Sequence, residues 1–314
     1  MYSTIYAKTT HWGFVLHKPN YEGVHDALIP QLKTLLVLAV ALQVGGVVAV
    51  EPLGQVRFLN CDELTESSGV CFSQQRILWT HNDSGDQPRL FAFDPRGKLL
   101  AIVEVSGAKA VDWEDICYFQ RDGTSYLAVG DVGDNQSTRD QVQIYLVKEP
   151  ELDAQVTEPR RLQLPVEAVY SINYPSGPVN CEALAYDPVS QEFLLATKEL
   201  LRSRFFRIDA RRIQGNYKVT ADLGQSVLFP LVTAADIRHD GQQLILCGYS
   251  SAWGLNRDGN RWDNSNGFVV ELPRRRLGES ICYHSSGNRL YLTSEFSPTP
   301  LFDVPVIASA AISP

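Results

Sequence analysis

The chain has 314 residues, of which 44% are hydrophobic and 20% charged, with a net charge of −8 and a pI near 5.3. That is enough apolar material for one sizeable core, and an acidic chain without a basic stripe argues against nucleic acid as a partner. Six cysteines without a Cys-x-x-Cys pair give no support to a zinc or redox site.

Residues 1–34 read as a poorly ordered N-terminal segment. Leu35–Val50 is the longest apolar run, broken only by Gln43 and two glycines, with Lys33 just before it. Val47-Val48-Ala49 fits the small-residue pattern ahead of a cleavage site. At 16 residues the run is short for a spanning helix, which needs about 20. The expectation is a signal peptide or a membrane tether. The protein is then exported, periplasmic or extracellular, and meets a membrane only through this segment. Residues 51–314 remain for a single domain.

That domain is built on a repeat. Glu114-Asp115-Ile116-Cys117-Tyr118 is matched by Ser68–Phe72, Glu182–Tyr186, Ala235–His239 and Glu279–Tyr283. Each copy has a β-branched residue or Leu third and an aromatic or imidazole ring fifth. Each is followed, after a polar turn, by a second apolar run. The copies start at steps of 46, 68, 53 and 44 residues. Short strands recurring at about 40–50 residues predict an all-β fold, a β-propeller with four-stranded blades. Five blades is the simplest count, and six follows if one blade has lost its signature. A strand at Gly54–Leu59 precedes the first copy and is placed to complete the last blade, closing the ring and protecting its edges.

Between these copies the Pro-rich stretch 150–178 reads as a long loop with strands near Arg161–Leu164 and Val169–Asn173. Trp253–Gly267 reads as a polar insertion, and Arg274-Arg275-Arg276 as a solvated loop. Cys71, Cys117 and Cys282 share one inner-strand position, where a free thiol serves as a small hydrophobe. Cys61 and Cys181 precede inner strands, and a bridge between them stays open.

Antiparallel neighbours put the start of each first strand and the loop after each second strand on one face. Ser68, Glu114, Glu182, Ala235 and Glu279 would ring the channel mouth. His81-Asn82-Asp83, Asp131, Asp134-Asn135, Lys198-Glu199, Tyr249-Ser250 and Ser294-Glu295 would lie beside them. Converging carboxylates raise one another's pKa, and a hard divalent cation relieves that conflict with all-oxygen ligands. The expected metal set is Ser68, Glu114, Glu182 and Glu279 around Ca²⁺. The alternative is that these glutamates cap backbone amides or face solvent.

The order of hairpins resembles the calcium-activated nucleotidase (apyrase) family. The likeness rests on Ser68, on Trp113-Glu114 through Asp131, on Cys181–Tyr186, on Ala235–His239 and on Leu277–Tyr283. It is a pattern of strand starts over most of residues 64–300. The resemblance implies a five-bladed propeller with calcium in its channel, held by one oxygen-bearing residue per blade. Ser68, Glu114, Glu182 and Glu279 match that role. Ala235 departs from the family's serine, with Asp236 or Thr233 as substitutes. The family's basic phosphate groups are mostly missing; Lys198, Arg139 and Arg202 are what remains, with Asp134 and Asn135 beside them.

Two functional readings follow. One is an exported module of unproven activity whose acidic channel mouth binds a protein, a carbohydrate or a small molecule, with Trp79, Trp113, Trp253 and Trp262 as aromatic contacts, although core packing is the favoured use of Trp79. The other is a calcium-dependent hydrolase of phosphate or other esters, apyrase- or lactonase-like. Asp115, Asp131 or His81 would be its base.

Overall fold

The five copies of the repeat begin five inner strands: Ser67–Phe72, Trp113–Arg121, Cys181–Asp187, Ala234–Ile237 and Cys282–Tyr283. The structure, a computed structural model, describes residues 56–306 and the short strand Val47–Val48. The terminal segment and most of the apolar run therefore lie outside the described residues. The third residue of each copy (Val70, Ile116, Leu184, Ile237, Ile281) is buried. A strand that carries a branched apolar residue between small neighbours packs tightly against the next strand of the ring.

Each inner strand heads an antiparallel series. The first sheet continues through Leu78–Asn82, Arg89–Phe93 and Leu99–Ser106, and the second through Thr124–Asp131, Val142–Lys148 and Arg160–Asn173. The third adds Glu192–Thr197, Ser203–Asp209 and Asp222–Val227, and the fourth Gln243–Cys247, Ser251–Asp258 and Arg261–Glu271. The fifth adds Arg289–Leu292 and Thr299–Pro305, and is completed by Arg57–Leu59, paired from Arg57 with Leu301 to Leu59 with Thr299. The N-terminal strand thus closes the last blade. The inner strands touch in cyclic order, with the fifth returning to the first. This is a β-propeller, all-β with no helix among the described residues. Val47–Val48 runs parallel to Val269–Val270 beside the fourth sheet.

Side chains at the first two repeat positions sew the inner strands together. Ser68 Oγ donates to the Glu114 carbonyl at 3.0 Å. Asp115 accepts the Leu184 N–H at 2.9 Å and the Ala235 N–H at 3.1 Å, both on Oδ2, and the Ile116 N–H at 2.9 Å on Oδ1. Asp236 accepts the Ile237 and Tyr283 N–H groups, each at 2.8 Å. Buried hydroxyls span the last seam: Ser67 Oγ lies 2.7 Å from Thr293 Oγ1 and 2.8 Å from Thr80 Oγ1.

Three expectations from composition are corrected in part here, and one open question is answered. The stretch 150–178, expected as a long loop with strands near Arg161–Leu164 and Val169–Asn173, has both strand segments, joined into one continuous strand, Arg160–Asn173. Its first half pairs with Ala101–Ser106 of the first sheet and its second half with Val142–Val147. Pro165 sits at the switch between the two ladders, where a missing N–H is tolerated. Trp253–Gly267 is hairpin, because Gly259-Asn260 supplies the two-residue turn between paired Asp258 and Arg261, with Gly259 at φ +58°. Arg275 is tied down, donating to the carbonyls of Gly248, Ser280 and Thr293 at 3.2 Å each. All six cysteines are free thiols. Cys61 packs in the core between the fifth and first sheets and Cys181 in that between the second and third, so no bridge joins them.

Gly69 holds the second repeat position of the first strand. A Cβ there would lie 2.7 Å from Asp115 Cα, 2.7 Å from His81 Nε2 and 2.8 Å from Ile116 N. Two of these atoms are backbone and cannot turn aside. Gly69→Ala should therefore lower stability by about 1–3 kcal/mol through overpacking. A denaturant titration would read this as an earlier midpoint with an unchanged slope.

Candidate metal centre at the channel mouth

The pleat explains why acidic groups gather at one end of the channel. Inner strands start there, and the chain returns there after each second strand. Asp83 follows Leu78–Asn82, and Glu295 follows Arg289–Leu292. One carboxylate oxygen from each of Asp83, Asp112 and Glu114 lies within 4.8 Å of the other two, and the same holds for Asp83, Glu279 and Glu295. Asp83 belongs to both groups. Of the four expected ligands, Glu114 and Glu279 enter these groups and the other two do not. Glu182 turns to Lys198 and Asn180, and the Ser68 hydroxyl is spent on the Glu114 carbonyl. Asp83, Asp112 and Glu295 were not among the expected ligands. The signal for Asp83 and Glu295 was their place in the loops that follow second strands.

The clustering shifts the acids upward. Burial pushes Glu114 well above the usual carboxylate range, and Glu182, Asp83 and Asp112 add repulsion. Asp83 rises to about 6, from burial and then from Glu279, Asp112 and Glu182, against the lowering effect of the Ser84 N–H. Glu295 rises to about 7, from burial and then from Glu279 and Asp83. Asp112 is raised by burial and by Glu182.

Lys198 brings the resident positive charge. Its Nζ lies 3.0 Å from Glu182 and 3.7 Å from Glu279, and 5.5 Å from the centre of the Tyr249 ring. Those two carboxylates hold the ammonium charged. Expected as a phosphate contact, Lys198 is thus enclosed by acids. Arg139 pairs with Asp131 at 2.9 Å and donates to the Gly133 carbonyl at 2.7 Å. Asp134 accepts the N–H groups of Thr138 and Arg139, and Asn135 accepts from Asn180 Nδ2 at 3.2 Å. Asp134 is therefore turn-forming.

The three candidate bases are all buried; Asp115 is fully engaged, while Asp131 Oδ2 and His81 Nε2 have no hydrogen-bond partner. Asp115 is fully buried under its three N–H donors. Asp131 is buried, paired with Arg139, and accepts the Asp112 N–H at 3.0 Å. His81 is buried against Trp113; its Nδ1–H donates to the Asn82 carbonyl at 2.8 Å, and burial lowers its pKa to about 4. Asp236 turns away from this mouth toward Tyr283. Trp113, Trp253 and Trp262, expected as surface contacts, are buried, and Trp79, whose favoured use is core packing, is buried in the core. Trp79 Nε1 donates to the buried Glu149 carboxylate at 2.9 Å.

Gly133 decides whether the acids can share a cation. A Cβ on it would collide with Glu114 Oε1 and stand 2.5 Å from Asp112 Oδ2. The bare α-carbon leaves those two oxygens a common space, and a donor set of carboxylates suits calcium or magnesium.

No protein-family model and no curated protein matches the sequence. Among solved structures, the chain is similar to the major allergen Mala s 1 of Malassezia sympodialis. The identity is 11% and the TM-score 0.48, over 82% of this chain and 99% of that one. It is also similar to the glutaminyl cyclase of Myxococcus xanthus, at 9% identity and a TM-score of 0.46 over 82% and 97% of the two chains. The Dos1 propeller matches at 11% identity and a TM-score of 0.37, over 76% and 68%. At these values none bears on what the chain binds or does.

Two measurements follow from this geometry. Asp115→Asn puts an amide N–H where a carboxylate oxygen accepts. At least one buried backbone donor is left unpaired, and stability should fall by about 2 kcal/mol or more in a denaturant titration. The second concerns pH. Asp83 and Glu295 bind protons more tightly folded than unfolded, so the stability they contribute is full below about pH 4 and lost as pH rises through about 6 to 7. In metal-free protein, thermal melts between pH 5 and 8 should show a smaller decline for Asp83→Asn than for wild type. An equal decline would contradict the shift.

Proposed function

We propose that the protein is an exported β-propeller module that holds calcium at the acidic mouth of its channel and presents that face to a ligand. The observation that carries this reading is the shared Asp83 carboxylate, which stands between two acidic trios. Asp83, Asp112 and Glu114 would hold the cation, with Glu279 and Glu295 close by. The cation would supply charge neutralisation and an electrophilic contact for oxygen atoms of a ligand. The apolar run Leu35–Val50 supports export.

The residues of this mouth divide the work. Lys198 neutralises the Glu182 and Glu279 side internally. Among the described residues no ion pair reaches Asp83, Asp112, Glu114 or Glu295. Asp115 is spent on three N–H donors, and the unpaired Asp131 Oδ2 and His81 Nε2 are buried away from solvent, which supports binding over hydrolysis, because a general base must reach a water.

A thermal melt of the full chain with calcium and with a chelator tests the proposal. A ligand bound only to the folded state raises stability by about 2.7 kcal/mol at a hundredfold excess over Kd, which is roughly 5–11 °C for a domain of this size. Asp83→Asn and Glu114→Gln should each remove the shift. Gly133→Ala should keep the fold and weaken the binding. Lys198→Met should strengthen or add cation binding by freeing Glu182 and Glu279. No calcium shift in a well-folded protein would overturn the reading.

A further inference from the structure

Every copy of the repeat ends on a ring: Phe72, Tyr118, Tyr186, His239 and Tyr283. Nothing at the acidic mouth uses them. All five line a cavity of about 330 Å³ at the far ends of the inner strands, with Asp236 among its walls. One ring per blade, at a fixed register position, makes this cavity a product of the repeat itself.

The chemistry of the wall narrows the ligand. Asp236 lies deep in the channel yet keeps part of its surface open to the cavity, because Ile237 and Tyr283 each use one of its lone pairs. Tyr118 and Tyr283 spend their hydroxyls on Ser125 at 3.1 Å and Gln243 at 2.9 Å, so what they offer is ring. Aromatic faces attract positive charge. A carboxylate beside them repels anions. A metal ion would want several oxygens, where this cavity has a single inward carboxylate. Arg121 and Asp122 sit together at the hairpin turn that forms part of the wall, with opposite charges. We propose that this cavity binds a small organic cation, a primary or methylated amine, with its ammonium at Asp236 and its carbon body against the rings.

Phenethylamine and its neutral counterpart 2-phenylethanol are the probes, titrated into the full chain and followed by calorimetry. Phenethylamine should bind at least tenfold more tightly than the alcohol. Asp236→Asn should bring the two to equal affinity. Because that change also removes an acceptor for a backbone N–H, the half-buried Tyr118 provides a second variant. Tyr118→Ala should weaken the amine about tenfold, while Asp83→Asn at the opposite mouth leaves it unchanged. Equal binding of amine and alcohol to wild type would overturn the proposal. So would amine binding that is lost in Asp83→Asn and kept in Tyr118→Ala.

Discussion

The ring depends on one carboxylate. Asp115 gathers backbone N–H groups from its own strand, from the third inner strand and from the fourth, so a single side chain fixes three of the strands that wall the channel. A buried carboxyl in low dielectric is costly, and burial pushes its pKa well up. Three aligned donors offset that cost, since hydrogen bonds to a charged acceptor are about twice as strong as neutral ones. Acids collect at one end and rings at the other, within a few residues of the same strands.

Much of the fold was readable because the repeat is written at the places that matter for packing. A branched residue third and, in four of the five copies, a small one fourth are what a crowded inner strand accepts, and the five copies return to their starting point. Composition misled where it replaced periodicity. In 150–178 the two strand segments were readable; Pro165 looked like a break between them, yet it marks only the point where one strand leaves one ladder for another. The polar residues around Asn256 to Asn260 looked like an insertion, although two strands meeting at the Gly259-Asn260 turn are a hairpin.

The site was legible in its direction and not in its partners. Strand starts and second-strand loops on one face follow from antiparallel pairing, so Glu114, Glu279, Asp83 and Glu295 belong together by topology. Which of them touch depends on side-chain reach across blades, and the sequence does not carry that. Lys198 shows the difference. In a row of acids it read as a phosphate contact, while in space its four-carbon stem brings the ammonium back between Glu182 and Glu279. Asp115 read as a base for the same reason: an acid near a mouth looks available until its donors are counted.

The strand Arg160–Asn173 has a mechanical meaning. In a ring of independent sheets, each seam is held by side chains and can open alone, as nearest-neighbour models of repeat proteins assume. Here backbone hydrogen bonds cross a seam. The same strand joins Ala101–Ser106, Val142–Val147 and, in parallel, Gly215–Thr220. The first and second blades are therefore welded along their outer edges, and the third is hooked to the second. Slow hydrogen exchange should mark this arc as one cooperative block, and the ring should breathe at the opposite side, where three residues, Arg57–Leu59, complete the last blade.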